Sequence, residues 1–376
     1  MKFFQATLIL SGMIIGVGMF GIPFSFWQSG FLLGMFELAV AALVMTAVHR
    51  AYGTVVVETR TWHRFPGYVA LYLGKGAGAV AWGTALFGIA GTLLAYVALG
   101  AAFLHELGSR LGAWSSEFLW AFVITGVAAL VTAFSLKREA LINGILTALL
   151  ISFVLGLSFF LFPGVEKENL TGIHFSGVWA PYGVLLFALA GGAVIPDVVA
   201  LLGRDASRSR KAIMLGSFIP ALVYAFFALA IVGVSGSMVS REAVAGLASF
   251  AGERVVVFGS IIGFLAVFTS LVTLGSSFQE LLRLDRGFSR VGSWAAGSAL
   301  PLALYLAGAT DFLTIVAAVG AFAVGIDTVL TFWMHERLVR SSAKIGGRMR
   351  VAGKIVVTCL IAVGIAAHLI GFASSP

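Results

Sequence analysis

The sequence predicts an all-α polytopic membrane protein, a five-plus-five inverted repeat with about eleven transmembrane helices. Three observations carry this: a composition foreign to soluble domains, a succession of apolar runs of spanning length, and a Gly/Pro motif that occurs twice, five runs apart.

Of 376 residues, 60% are hydrophobic and 11% charged, against about 25% charged in a soluble domain. Core area grows too slowly with length to absorb so much apolar surface in water, so the lipid bilayer is the natural solvent. Spanning takes about 20 mostly apolar residues. Eleven runs qualify: 6–27, 30–48, 78–104, 117–134, 140–162, 179–202, 212–233, 254–278, 292–308, 312–334 and 355–373. The first continues through Pro23 and Trp27 without a small-residue cleavage site and reads as a span, not a leader. The chain forms one transmembrane domain, 1–376, with repeats at 1–162 and 179–334 and an extra helix at 355–373. The segment 58–76 is expected to hold an interfacial turn or short helix, and 235–253 a short helix acting as a lid.

Charge sets the expected orientation. With the N-terminus in the cytosol, twenty of the 24 Lys and Arg fall in inside segments, leaving Arg110, Lys167, Arg241 and Arg254 outside. Such a bias in short loops places the N-terminus in the cytosol and, with an odd span count, the C-terminus outside, in the plasma (inner) membrane. It accounts for the net charge of +8 through basic loops at anionic lipid headgroups, without nucleic acid. One cysteine, Cys359 in an apolar run, excludes a disulfide framework and a Cys-based zinc site. The histidines at 49, 63, 105, 174, 335 and 368 show no ligand spacing. No metal other than sodium, no cofactor and no obligatory protein partner is implied. Gly16 to Gly21 matches G-x-G-x-x-G literally, but a dinucleotide site needs a strand before it and a βαβ context. No catalytic constellation is visible, so the chain is not read as an enzyme.

The repeated motif is the functional signal. The first span places Gly12, Gly16, Gly18 and Gly21 before Ile22 and Pro23, and the sixth places Gly191 and Gly192 before Ile195 and Pro196. The two prolines stand 173 residues, or five spans, apart. Five is odd, so the copies cross the membrane in opposite directions. Glycine and proline both weaken a helix. Unwound backbone at membrane depth is tolerated where it lines a cavity. Paired breaks in two halves therefore point to a midplane binding site. There, half-helix N-termini favour an anion and C-termini a cation.

At these residues the chain resembles the amino acid/auxin permease and aromatic amino acid permease families of the amino acid–polyamine–organocation superfamily. The carriers are Gly12 to Gly30 (GMIIGVGMFGIPFSFWQSG), Phe65-Pro66-Gly67-Tyr68 with Leu73 to Gly76, and the sixth span from Phe187 to Asp205 (FALAGGAVIPDVVALLGRD). The eighth span, from Phe268 to Gln279, completes them. The resemblance implies the sodium–amino-acid symporter fold. It also implies a substrate site at Ile15, Gly16, Val17 and Gly18, facing Ala190, Gly191 and Gly192, with Phe187 as gate or wall. Ala266, Thr269 and Ser270 on the eighth span match a sodium half-site that would be completed by the carbonyls of Gly12 and Ile15. Back-bonding of Thr269 and Ser270 to their own helix is the plainer role. Proton-coupled relatives retain the Thr-Ser pair, and some carry a lysine on the fifth span that 140–162 lacks. The coupling ion is thus sodium or a proton, with sodium favoured.

Glu37, Asp197 and Asp327 lie within spans, where a carboxylate is expensive and by default functional. They are candidates for a proton or polar network. Asp197 has a second role open to it, near a helix start. The expected function is secondary transport of an amino acid, aromatic or large neutral, with a coupled cation by alternating access. The alternative is a non-transporting amino-acid sensor, or a subunit like those of germinant receptors, on the same fold.

Overall fold

The computed structural model describes residues 1–110, 112, 116–133, 139–341, 358 and 362–367. Among them the secondary structure is entirely helical. The first span is two helices, α1 (Lys2–Ile14) and α2 (Ile22–Ser29), joined through a 3-10 segment, Val17–Gly21, and bent by 47°. Gly30, at φ 84°, turns the chain into α3 (Phe31–Glu58). The expected interfacial helix follows as α4 (Phe65–Leu73), with Pro66 in its first turn. Spans three to five are α5 (Lys75–Arg110), α6 (Glu117–Ala133) and α7 (Glu139–Leu161).

The second half repeats the plan. α8 (Ala180–Ala188) and α9 (Ile195–Leu201) form the broken sixth span, and α10 (Ala206–Ser235) is the seventh. The expected lid helix is instead two 3-10 turns, Gly236–Met238 and Ala245–Leu247, and the four-residue α11 (Ala248–Ala251), with Ala243 (φ 65°) leaving helical conformation between the turns while Gly236 (φ 49°) ends α10 and Gly252 (φ 82°) precedes α12. α12 (Glu253–Arg286) and α13 (Arg290–Leu306) are spans eight and nine. The tenth comprises α14 (Phe312–Val319), a π-helical turn, Gly320–Val324, and α15 (Gly325–Ser341).

Among the described residues seven helices are long and apolar enough to span, and the bent first pair makes eight. α6 and α13, each of 17 residues, hold the matching fourth and ninth places. The eleventh expected span lies outside the described residues apart from a helical piece at 362–367.

Apolar burial from water cannot hold such helices together, since lipid is as apolar as leucine. Close approach of small residues does so instead. A Cβ on Gly183 would collide with the Ala317 carbonyl, and one on Gly320 with the Gly183 carbonyl, so α8 meets the tenth span backbone to backbone. Large apolar side chains such as Phe36, Leu43, Phe159 and Phe160 face outward, where lipid rather than water meets them.

Ion pairs close the ends. On the face opposite the N-terminus, Arg110 of α5 pairs with Glu106 and Glu253, tying α5 to the start of α12. On the same face Arg241 pairs with Asp311, the N-cap of α14, and its guanidinium lies 5.9 Å from the centre of the Phe24 ring. On the N-terminal face, Arg204 donates to the Arg60 carbonyl at 2.9 Å and lies 4.1 Å over the Trp62 ring. This clasp joins the end of the sixth span to the α3–α4 loop.

Candidate functional site

The first break begins where the α1 ladder ends. Ile15 donates to Ser11 O at 2.8 Å and then leaves the helix (ψ 94°), Gly16 is extended (φ −149°, ψ −155°), and α2 restarts with Pro23 in its first turn. The second break has the same order. α8 ends at Ala188, Gly191 breaks the path (φ −132°, ψ 6°), a 3-10 turn spans Gly192–Val194, and α9 restarts with Pro196. Proline suits a first helical turn, where its missing N–H costs no hydrogen bond.

The two breaks touch. A Cβ on Gly18 would lie 2.8 Å from Ala188 Cα, and one on Gly191 2.7 Å from Leu10 Cδ1. Long-range hydrogen bonds then fix them to α3 and α10. Pro220 has no N–H to offer the Gly216 carbonyl, and the Ser11 hydroxyl of α1 donates to that carbonyl at 3.2 Å. Two turns further along α10, the Tyr224 hydroxyl lies 2.6 Å from Ile14 O and 3.0 Å from Ala188 O. These carbonyls stand at the C-terminal ends of α1 and α8, where partial negative charge gathers. His49 of α3 accepts the Gly191 N–H on Nε2 at 3.1 Å, while its Nδ1 lies 2.9 Å from Ser217 Oγ on α10.

Between the breaks and α3, α5 and α15 lies a cavity of about 360 Å³. Gly16, Val17, Gly18, Phe187, Ala190 and Gly192 line it. Ile15 and Gly191 are buried and absent from that lining, Ile15 being 2% exposed and Gly191 turned onto His49. The opposite walls bring Tyr52, Tyr96, Thr84 and Asp327, whose Oδ1 accepts from Thr84 Oγ1 at 2.6 Å.

The structure separates the three carboxylates grouped in the sequence. Only Asp327 faces this cavity. Glu37 lies in another, of about 240 Å³, between α3 and α8, and its Oε1 has no hydrogen-bond partner among the described residues. Asp197 is exposed in the first turn of α9, the position that favours a carboxylate on dipole grounds alone. The cation half-site is likewise not assembled by hydrogen bonds. Thr269 Oγ1 lies 3.0 Å from Leu265 O and 3.2 Å from Ala266 O, both on its own helix. Gly12 has Thr147 of α7 as its near neighbour, at 3.9 Å from an added Cβ. Among the described residues no hydrogen bond joins Thr269 or Ser270 to the first break, and no cluster of three metal-ligating side chains occurs.

Sequence reasoning passed over His49, Ser217 and Tyr224. His49 carries a signal, as an ionisable side chain within a span, which metal-ligand spacing does not capture. Nothing local marks Ser217 or Tyr224, whose partners lie 168 and 210 residues away.

The comparisons with known proteins agree with this architecture. The closed conformation of Mhp1, a nucleobase-cation-symport-1 family transporter with bromovinylhydantoin bound, is similar over 97% of this chain and 92% of its own, with a TM-score of 0.63 at 14% identity. A manganese transporter from Eremococcus coleocola is similar over 100% of this chain and 88% of its own, with a TM-score of 0.70 at 12% identity. These likenesses bear on the fold, an inverted repeat of transporter type. In sequence, Glutamine transporter 2 of Aliivibrio fischeri is 26% identical over 348 residues, 86% of each chain. The model of the tryptophan/tyrosine permease family matches residues 1–371. It bears out the reading as a transporter and not an enzyme, and names a permease family other than the amino acid/auxin group. With that match running through both breaks and the cavity between them, the chain belongs to the tryptophan/tyrosine permease family.

Proposed function

We propose that this protein carries an amino acid, aromatic or large neutral, across the plasma (inner) membrane with a coupled cation by alternating access. The observation that carries the reading is the meeting of two helix breaks on one cavity of about 360 Å³. Such a site offers unwound backbone to an amino acid's charged groups at the pseudo-twofold interface, around which one bundle rocks against the other. Tyr52, Tyr96 and Phe187 on the cavity wall suit a large apolar side chain. The family description supports an aromatic substrate, while the relative named as a glutamine transporter makes glutamine the rival. The coupled cation is sodium or a proton. The charge bias supports a cytosolic N-terminus, which puts the Arg204 clasp at the cytosolic mouth and the Arg241–Asp311 pair at the outer one.

Uptake of labelled tryptophan, tyrosine and glutamine into proteoliposomes, under an imposed sodium or pH gradient, tests this reading. Accumulation of an aromatic amino acid under either gradient is the expected result. Preference for glutamine would move the substrate class. Saturable binding without flux under both gradients would favour the sensor.

A further inference from the structure

At His49 both nitrogens of a buried imidazole are engaged, and the ring lines the cavity. The Ser217 hydroxyl donates its proton to the Ile213 carbonyl at 2.8 Å, so its oxygen accepts from Nδ1–H. Nε2 is then the bare nitrogen, and its one lone pair accepts the Gly191 N–H. A proton and the Gly191 N–H are rival claimants for that lone pair.

We propose that Nε2 of His49 is the seat of the coupling proton, taken up together with the carboxylate of the amino acid at the second break. The inference rests on the transporter reading above and names its coupling ion. A hydronium ion in the cavity gives its proton to the Nε2 lone pair and leaves as water. The ring becomes an imidazolium with N–H on both nitrogens, and Gly191 N–H loses its acceptor. The two N–H groups now repel and part, which turns Gly191 from its buried place toward the cavity, and an arriving carboxylate accepts from Gly191 N–H and from Nε2–H and balances the charge. On release the carboxylate departs, the proton returns to water, and Nε2 recaptures Gly191. Each ligand alone is penalised. The proton by itself leaves a buried N–H and a charge unpaired, and the carboxylate by itself finds the N–H taken. Their binding is therefore reciprocal.

The neighbouring elements bring few other titratable groups. Asp327 of α15, Tyr96 of α5 and Tyr52 of α3 share the cavity wall. α10 contributes Tyr224, held by the Ile14 carbonyl, and Arg208, Arg210 and Lys211 near its start. α9 offers the exposed Asp197, and α1 only Lys2 at its first position. Asp327 is the rival seat for the proton.

The test uses the full chain, with tryptophan as probe and glutamine as the second. Binding is measured in lipid nanodiscs from pH 5 to 8, proton uptake by calorimetry in buffers of different ionisation heat, and exchange by counterflow in proteoliposomes. Wild type should bind more tightly as pH falls, by up to about tenfold per pH unit for one linked proton, and take up about one proton per amino acid. His49→Gln has no titratable nitrogen and an amide oxygen for Gly191. It should bind tryptophan more weakly than wild type at low pH, with a flat pH profile and no linked proton uptake. Ser217→Ala keeps the imidazole but removes the Nδ1 acceptor, and should move the midpoint of the profile while leaving its slope. No proton uptake in wild type, a wild-type slope in His49→Gln, or an unmoved midpoint in Ser217→Ala would overturn the assignment. So would a slope lost in Asp327→Asn and kept in His49→Gln, which gives the proton to Asp327. Absence of counterflow in wild type would sink the transporter reading, while proton-linked binding would still decide the role of His49.

Discussion

The Tyr224 hydroxyl donates to the Ile14 carbonyl at 2.6 Å, across 210 residues of sequence. Its oxygen also stands 3.0 Å from the Ala188 carbonyl, so one side chain of α10 serves the C-terminal ends of both broken helices. A half-helix C-terminus attracts positive charge, and here an O–H dipole stands at that place.

Removing that dipole leaves two buried carbonyls without their donor. Tyr224→Phe should cost about 1–3 kcal/mol, the penalty of a buried polar group losing its partner. The expected result is a lowered unfolding temperature in detergent together with slower tryptophan counterflow. An unchanged melting profile would mean that water or backbone shifts replace the hydroxyl.

The glycines of the two breaks should respond unequally to one methyl group. A Cβ on Gly18 lies 2.8 Å from the Ala188 backbone, so Gly18→Ala must push the breaks apart and should abolish uptake. Gly192 lines the same cavity with nothing within 4 Å of an added Cβ. Gly192→Ala should fold and bind, with at most a few-fold change in apparent affinity, read from tryptophan binding isotherms.

Thr269 hydrogen-bonds only to carbonyls of its own helix among the described residues. Such intrahelical bonds contribute little. Thr269→Ala, alone or with Ser270→Ala, should leave thermal stability within about 0.5 kcal/mol of wild type. Loss of sodium-driven uptake in the double variant would then report ion binding and not misfolding. Intact uptake would leave the eighth span a structural role.

The clasp of Arg204 uses a planar cation at two places at once, the Arg60 carbonyl and the Trp62 face. Lysine cannot reproduce both contacts. Arg204→Lys and Trp62→Ala should each open the N-terminal face by about 0.5–1 kcal/mol, the strength of an exposed cation–π contact. A Thr331→Cys reporter on the cavity wall, in a Cys359→Ser background, should then react roughly two- to fivefold faster with an impermeant maleimide from that face. Equal rates would show the clasp to be passive.

The parts of the fold legible in the sequence were those set by local physics. Composition fixed the solvent, and glycine with Ile-Pro located both breaks, because these residues act on the backbone wherever they sit. Length and composition likewise marked the segment 58–76, which holds α4. The segment 235–253 was less legible, since its turns part at Ala243, a residue at φ 65° whose side chain gives no sign of a break. The cavity was legible on its backbone side, where Gly16, Val17, Gly18, Ala190 and Gly192 line it. Its side-chain half was not. His49, Thr84 and Tyr224 act through partners 142, 243 and 210 residues distant. Sequence alone gave Glu37 and Asp327 equal standing, as carboxylates within spans. The helix face each occupies divides them, Asp327 on the central cavity and Glu37 on the groove beside α8.

The contact between Gly183 and Gly320 bears on how this chain can diverge. Neither glycine lines the cavity, and neither has a side chain that could touch substrate or ion. Each nonetheless sits where the other helix's backbone fills the space of a Cβ. In a library selected for growth on a transported amino acid, positions on the cavity wall should drift as substrate preference drifts. Positions 183 and 320 should stay glycine through all of it, marking a joint common to every specificity the scaffold can acquire.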